Sequence, residues 1–256
     1  MKNSIIVVAN QKGGVGKTTT VLNLASALAK QNRKKILVVD IDPQGNATTG
    51  AGIDKNQLNH SVYDVLVNDL DPSLALSKSA DGFDILGANR HLAGAEVELV
   101  EVANREFKLK QALTKLRDQY DLILIDCPPA LSLLTLNALA SADYVLVPMQ
   151  CEYYALEGLT DLLNTLKLLQ AKLNPQLKIL GIVRTMYDKR NNLAQDVSRQ
   201  LVDYFPDKVF PAFIPRTVRL AEAPSYGMSA VSLDAKSMGA QAYLRLAREL
   251  IKWLKA

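Results

Sequence analysis

Hydrophobic residues along the chain follow two periods that alternate from one end to the other. Short continuous runs of Val, Ile and Leu, such as 35–40 (KILVVD) and 121–126 (DLILID), are typical of strands buried on both faces of a sheet. Between these runs, apolar residues recur every three to four positions, which indicates amphipathic helices. The alternation predicts an α/β fold with a twisted, mostly parallel sheet and helices on both of its faces.

The same pattern predicts the bounds of the elements. Strands are expected at residues 4–9, 35–40, 83–86, 121–126, 144–147, 177–183 and 209–213. Helices are expected at residues 19–30, 62–67, 105–117, 132–139, 156–173, 193–204 and 237–255. The sequence contains no repeat, low-complexity run or linker, so we predict a single domain over residues 1–256.

Composition suits one soluble α/β domain. Its 256 residues are 48% hydrophobic, which is enough for a sizeable core. Residues 1–3 lead directly into the first strand, and no apolar run approaches the roughly 20 residues of a membrane span. The two cysteines, Cys127 and Cys151, lack metal-ligand spacing. We therefore expect a reduced, cytoplasmic protein.

The net charge of +4 is unevenly distributed. Residues 178–256 contain 13 Lys/Arg and 7 Asp/Glu, whereas residues 1–177 contain 17 and 19. This asymmetry suggests a polyanionic partner for the last third of the chain. A solvated basic surface without a partner is the alternative.

A glycine-rich loop at residues 11–18 (QKGGVGKT) separates the first strand from the first helix. Strand, glycine-rich loop and helix in this order are typical of a phosphate-binding loop, in which backbone N–H groups and the helix N-terminus surround a phosphate. Lys17 is expected to neutralise the outer phosphates, and the Thr18 hydroxyl to hold Mg²⁺. Gln11 stands where the common pattern has its first glycine, and a second lysine, Lys12, precedes the glycines. The loop predicts a P-loop NTPase.

Carboxylates follow two other predicted strands. Asp126 ends the strand at 121–126, as an aspartate that holds Mg²⁺ does, with a helix-cap or turn role as the alternative. Asp40 and Asp42 are two residues apart, so both would face the same way on a continuing strand. One of them could orient the attacking water near a γ-phosphate. Because ligands of open parallel sheets bind beyond the carboxyl ends of the strands, we expect the loop and these carboxylates at one edge.

KGGVGKT resembles the deviant Walker A loop of the ParA/MinD class of P-loop ATPases. Further segments are similar to those of the ParA/Soj partition ATPases over almost the whole length: DIDPQGNATTG, LILIDCPPALSLLTLNAL, QCEYYALEGL, TMYDKRNN and IPRTVRLAEAPSYG. The resemblance implies ATP and Mg²⁺ as cofactors, an ATP-dependent homodimer, non-specific binding of double-stranded DNA, and slow hydrolysis stimulated by a ParB-like centromere-binding protein. It also implies a nucleoid-associated protein without a membrane partner.

The resemblance assigns roles to individual residues. Lys12 would reach across a dimer to the nucleotide of the other subunit, and Asp42 would be the hydrolysis residue, with Asp40 supporting it. Arg190 and Arg219 match arginines that bind DNA. Phosphate contacts without sequence readout fit such a surface.

The remaining predicted site residues would contact the nucleotide or the metal. Near the adenine, the resemblance places Thr185, Met186 and Pro215. The metal ligands would be Thr18 and Asp126. The predicted nucleotide-binding residues of the loop are Lys12, Gly13, Gly14, Val15, Gly16, Lys17, Thr18 and Thr19.

Two other functions remain open at this level. One is a MinD-like, membrane-associated regulator of cell division, because the last predicted helix has an apolar face opposite several Lys and Arg residues. Packing of that face on the sheet is the alternative, and the width of the apolar stripe favours it. The other is a metabolic P-loop ligase or reductase, which would need substrate-binding residues that the sequence does not reveal.

Overall fold

Eight strands form one sheet in the computed structural model, which describes residues 3–255. The strands are β1 (Ser4–Val8), β2 (Ile36–Asp40), β3 (Leu76–Lys78), β4 (Asp84–Leu86), β5 (Leu122–Asp126), β6 (Tyr144–Gln150), β7 (Lys178–Tyr187) and β8 (Val209–Pro215). Met1, Lys2 and Ala256, which the predicted domain includes, lie outside the described residues.

The strand order is β3-β4-β2-β5-β1-β6-β7-β8. β3 pairs antiparallel with β4, and every other pairing is parallel, which confirms the mostly parallel sheet. In this register Asp126, at the end of β5, lies beside Val8 of β1 on one side and beside Asp40 of β2 on the other. The segments that follow these three strands therefore leave the sheet at one edge.

Eleven α-helices occur in the described part of the chain. They are α1 (Lys17–Asn32), α2 (Asn46–Gly50), α3 (Val62–Val67), α4 (Leu92–Glu98), α5 (Lys108–Thr114), α6 (Leu133–Ser141), α7 (Ala155–Lys172), α8 (Asn192–Tyr204), α9 (Val218–Glu222), α10 (Ala230–Leu233) and α11 (Met238–Trp253).

Most predicted elements are present, and the differences have local causes. The helix predicted at 105–117 was wrong in its bounds, because only α5 is α-helical and a separate 3₁₀ turn lies on each side of it. The sequence analysis missed β3 and the helices α2, α4, α9 and α10. Each has seven residues or fewer, too few to show a helical period or a strand run clearly.

Two apolar clusters cover the two faces of the sheet. Alternate residues of β1 enter different clusters: Ile5 and Val7 pack with α3 to α8, whereas Ile6 and Val8 pack with α1 and α11. This alternation is the two-residue period of a strand that is buried on both faces. The prediction of helices on both faces is confirmed.

The apolar face of α11 belongs to the core. Tyr243, Leu244, Ala247 and Leu250 are buried against α1 and β8, and the Trp253 ring stacks on Phe210 at 3.9 Å between centroids. The face that could have bound a membrane surface is therefore covered by the sheet and by α1.

Candidate nucleotide and magnesium site

The glycine-rich loop connects β1 to α1 at the carboxyl edge of the sheet. Gly14 and Gly16 have φ values of 73° and 86°, in the left-handed region that residues with a Cβ atom rarely adopt. Gly16 is also the N-cap residue of α1, and no side chain caps that helix. The first N–H groups of α1 are thus not capped by a side chain, and they are available to an anion.

Lys17 begins α1 and is held inside the loop. Only 7% of the residue is exposed, and its Nζ donates to the carbonyl oxygen of Lys12 at 3.1 Å. Burial lowers the pKa of Lys17, while the carboxylate of Asp126 opposes that shift most strongly. The ammonium group therefore lies inside the loop, and its hydrogen-bond acceptor is a backbone carbonyl. A phosphate oxygen could replace that acceptor.

Thr18 and Asp126 form the candidate magnesium site. The Thr18 hydroxyl donates to Asp126 Oδ2 at 2.7 Å, whereas Oδ1 of the same fully buried carboxylate has no hydrogen-bond partner. Burial, reinforced by the charge of Asp40, raises the pKa of Asp126 well above its usual range. An unpartnered buried carboxylate oxygen is costly, and a cation would relieve that cost. The residues therefore fit Mg²⁺.

The ligand chemistry agrees with this fit. Mg²⁺ binds through one or two protein oxygens and completes its shell with water and phosphate oxygens. Within residues 3–255, no three His, Cys, Asp or Glu side chains group into a metal site of their own. A site of one hydroxyl and one carboxylate would thus depend on a nucleotide for its other ligands.

Asp40 and Asp42 occupy different environments, and the strand on which both would face the same way does not continue past Asp40. β2 ends at Asp40, whose fully buried carboxylate accepts from Thr48 N and Thr48 Oγ1, both at 2.8 Å, and from Asp42 N at 3.1 Å. Asp42 is partly exposed and accepts from Gln44 N at 2.9 Å. Asp40 therefore anchors α2 to the sheet, and Asp42 is the carboxylate that solvent can reach.

The buried position of Asp40 predicts a pH dependence of stability. Burial raises the pKa of Asp40 from 3.8 to about 6, so the folded chain holds this proton more tightly than the unfolded chain does. Stability from this group is greatest below pH 4 and is lost as the pH rises to 6. Relative to Asp40→Asn, the wild-type free energy of unfolding should fall by about 2 kcal/mol between pH 4 and pH 6, and by about 3 kcal/mol over the whole titration.

Urea unfolding without Mg²⁺ or nucleotide measures this difference. Asn also turns an NH₂ group toward a backbone or hydroxyl donor, so Asp40→Asn should be less stable at every pH. Only the change of the difference with pH reports the proton. A difference that stays constant from pH 4 to pH 7 would contradict the raised pKa.

Lys12 points away from the interior of the loop. Its side chain is about half exposed and forms an ion pair with Glu152, which follows β6. The Lys12 backbone N–H donates to Asn10 Oδ1 at 3.0 Å, and this bond fixes the entry to the loop. Lys12 thus stands at the open surface of the carboxyl edge, within reach of another molecule.

A cavity of about 210 Å³ adjoins the loop. Thr185 Oγ1 donates to the carbonyl oxygen of Val15 at 2.8 Å and thereby ties β7 to the loop. Met186 has a φ of 49°, an unusual conformation for a side chain of its size. The cavity is lined by Gly16, Thr19, Thr185, Met186, Ile214, Pro215, Arg216, Thr217, Leu220, Ala221 and Tyr243. Its volume and position suit a nucleobase whose phosphates lie in the loop.

Arg190 and Arg219 do not line the cavity beside the loop, and each is paired with carboxylates. Arg190 donates to both carboxylate oxygens of Asp188 at 2.9–3.0 Å, and Arg219 pairs with Glu222 and Asp234. All of these pairs are on the surface, where an ion pair contributes about 0–1 kcal/mol. A phosphate group could therefore replace either carboxylate at little cost.

The chain is similar to known proteins over most of its length. A family model described as an AAA domain matches residues 3–179. The sporulation initiation inhibitor protein Soj of Bacillus subtilis is 51% identical over 247 residues, which cover 96% of this chain and 97% of Soj. The chain belongs to the ParA/Soj family of partitioning ATPases. The chromosome partitioning protein ParA of Myxococcus xanthus is also 51% identical, over 97% of this chain and 88% of that ParA.

Solved structures support the P-loop ATPase fold. A structure named cobyrinic acid a,c-diamide synthase, from Mycobacterium smegmatis with bound ADP and magnesium, has a TM-score of 0.87 and 42% identity and covers 100% of this chain and 96% of that one. The cell division ATPase MinD of Pyrococcus furiosus has a TM-score of 0.79 and 28% identity, with 98% and 99% coverage. Among the described residues, no helix is both long and apolar enough to cross a membrane.

Sequence reasoning missed several residues of the site. Thr48 holds Asp40, and Glu152 pairs with Lys12. Both lie in segments, DIDPQGNATTG and QCEYYALEGL, that were quoted only for their resemblance. Leu220 and Ala221 line the base cavity. Their segment, IPRTVRLAEAPSYG, was quoted only for its resemblance to the family. The resemblance marked the segment, but it did not predict that Leu220 and Ala221 lie beside the loop.

Proposed function

We propose that this protein is a DNA-segregation ATPase whose ATP-bound form is a homodimer that binds double-stranded DNA without sequence preference. The observation that carries the proposal is the Thr18–Asp126 pair with its unpartnered carboxylate oxygen, at the mouth of a loop built for phosphate. The chain is 51% identical to two partitioning proteins over nearly its full length, and this similarity supports a role in DNA segregation.

In this proposal the loop residues bind ATP. Lys17 pairs with the β- and γ-phosphates, the N–H groups of residues 13–19 surround them, and Thr18 and Asp126 hold Mg²⁺. The metal, when bound, neutralises charge on the phosphate oxygens. Thr185, Met186 and Pro215 enclose the base. Asp42, the solvent-accessible carboxylate, orients the attacking water, while Asp40 holds the backbone that positions it.

Lys12 acts on the other subunit. Its exposed ammonium group can leave Glu152 and approach the phosphates of a second copy that docks on the same edge. Hydrolysis would then occur only in the dimer, it would be slow, and a ParB-like partner would stimulate it. Release of phosphate would separate the subunits and end DNA binding.

The test of this function is the DNA affinity of the ATP-bound protein. The dimer doubles the phosphate contacts of a monomer, and each contact contributes about −0.9 to the slope of log K against log salt. We expect binding that requires ATP, ignores sequence and weakens steeply with salt. Arg219→Ala should lower affinity for all sequences alike and flatten the slope by about one unit per subunit. Fluorescence anisotropy on unrelated duplexes measures both effects.

Two outcomes would replace this function. An ATP-bound dimer that ignores duplex DNA at low salt and floats with anionic liposomes would indicate the membrane-associated regulator. ATP turnover that depends on a small-molecule acceptor rather than on DNA or a protein partner would indicate a metabolic enzyme such as a ligase. The name of the Mycobacterium smegmatis structure calls that protein a synthase.

A further inference from the structure

The loop that carries Asp42 is held by two different parts of the chain. This loop, residues 41–45, connects the end of β2 to the start of α2 and is here called the Asp42 loop. From β2, the Asp40 carboxylate accepts from Asp42 N at 3.1 Å. From residues 51–61, the segment between α2 and α3, Lys55 reaches back to the same loop. The second contact has no role in the site described so far.

Lys55 contacts two consecutive residues of the Asp42 loop. Its Nζ donates to the carbonyl oxygen of Gln44 at 2.5 Å. Its stem packs on Gly45, where an added Cβ atom would lie 2.9 Å from Lys55 Cδ and 2.6 Å from the carbonyl oxygen of Ala88. Gly45 also has a φ of 61° and is buried. The loop is therefore enclosed at Gly45, and the Lys55 side chain forms one wall of the enclosure.

The bond from Lys55 reaches Asp42 through a single peptide group. The Gln44 carbonyl and the Gly45 N–H belong to the same planar unit. That N–H donates to the carbonyl oxygen of Asp42 at 2.9 Å. The preceding N–H, of Gln44, donates to Asp42 Oδ1, also at 2.9 Å. A rotation of the Gln44–Gly45 peptide would thus disturb both the backbone and the carboxylate of Asp42.

Lys55 is itself held in place, and its charge is not used in an ion pair. Asp54 starts a turn, in which its carboxylate accepts from Asn56 N at 2.9 Å and its carbonyl oxygen accepts from Gln57 N at 3.0 Å. Over the described range 3–255, no carboxylate oxygen lies within 4.0 Å of Lys55 Nζ. The ammonium group is therefore directed at a backbone carbonyl rather than at an acidic side chain.

We propose that Lys55 is a positioning residue for ATP hydrolysis, which keeps the Asp42 carboxylate in place through the Gln44–Gly45 peptide. The inference rests on the proposed function, in which Asp42 orients the attacking water. Hydrogen bonds from an ammonium group are roughly twice as strong as neutral ones, so this bond restrains the peptide more than water would. Without it, the carboxylate would spread over several rotamers. Lys55 acts on Asp42 and not on the phosphates.

The decisive variant is Lys55→Met, which keeps an apolar stem on Gly45 but removes the ammonium group. Hydrolysis at saturating ATP should slow by about 10- to 100-fold, since small displacements of an orienting group have costs of this size. ATP affinity and KM should stay at the wild-type value. Lys55→Arg restores a charged donor and should recover most of the rate.

Lys208→Met is the matched control. Lys208 Nζ donates to the carbonyl oxygen of Ile179 at 3.1 Å, so this variant also breaks an ammonium–carbonyl bond. The bond lies near the start of β7 and β8, at the sheet edge opposite Asp42. The control should hydrolyse ATP at the wild-type rate. An equal slowing of Lys208→Met and Lys55→Met would show a general loss of stability and would overturn the inference.

A double-mutant cycle tests whether Lys55 acts through Asp42. Single-turnover hydrolysis is measured on the full chain with ATP and Mg²⁺, at a concentration where light scattering shows the wild-type dimer. In the Asp42→Ala background, Lys55→Met should cause no further loss. A further loss there, weaker ATP binding by Lys55→Met, or a wild-type rate beside an inactive Asp42→Ala would each overturn this inference alone. Wild-type hydrolysis by Asp42→Ala would refute the proposed role of Asp42 and the inference with it.

Discussion

Lys17→Ala is expected to abolish ATP binding. Lys17 is the lysine whose ammonium group lies inside the loop, and within residues 3–255 its side chain donates a hydrogen bond only to the carbonyl oxygen of Lys12. Charge-assisted hydrogen bonds contribute roughly 1.5–3 kcal/mol each, so losing the phosphate contacts should lower affinity about 100-fold or more. Isothermal calorimetry with ATP and Mg²⁺ measures this loss. Wild-type affinity in the variant would show that another group neutralises the phosphates.

Asp42→Ala is the matched control for that experiment. Asp42 also lies at the carboxyl edge, but it is partly exposed, and in the described part of the chain its carboxylate accepts a hydrogen bond from Gln44 N alone. Removal of this side chain should leave ATP affinity close to wild type while hydrolysis is lost, because an acidic group cannot favour phosphate binding. If Asp42→Ala hydrolysed ATP at the wild-type rate, the catalytic role would lie with another group, and Asp40 would be the next carboxylate to test.

Lys12→Ala is expected to bind ATP but to remain a monomer and to lose hydrolysis. A cation supplied by another subunit stabilises transition-state charge, and such groups contribute roughly 10³–10⁵ in rate. The Lys12 side chain is exposed and does not enter its own loop, so the fold and the ATP affinity of the variant should be unchanged. Light scattering with an ATP analogue and single-turnover hydrolysis measure the two losses.

Glu152→Gln separates the lysine from its ion pair. This variant breaks the same surface pair but keeps Lys12, so it should dimerise and hydrolyse ATP. If it reproduced the defects of Lys12→Ala, the ion pair would be the essential feature. A Lys12→Ala dimer of normal stability would contradict a role between subunits.

Local sequence patterns were sufficient for the main elements. Runs of Val, Ile and Leu mark β1, β2 and β5, because a strand buried on both faces needs apolar side chains at nearly every position. The order of strand, glycine loop and helix defines the phosphate site, because positive φ values at Gly14 and Gly16 are a local requirement. Asp126 ends a strand of a sheet that was predicted to be parallel, and this was sufficient to place it at the carboxyl edge.

Only the tertiary structure decided how the site is assembled. The sequence spacing of Asp40 and Asp42 predicted one shared face, but β2 ends at Asp40, and the burial of its carboxylate depends on Thr48 and α2. Contacts of this kind join residues whose separation carries no periodic signal.

The sequence by itself therefore determined the α/β class, the phosphate loop and the family, because each depends on residues that are close together along the chain or on whole segments of similar sequence. The tertiary structure decided which charges are free. Arg190, Arg219 and Lys12 are cations in the sequence, yet each has a carboxylate partner, whereas Lys189, Arg216 and Arg245 have none among the described residues. Charge pairing acts through space over about 4 Å, so only the folded chain defines it.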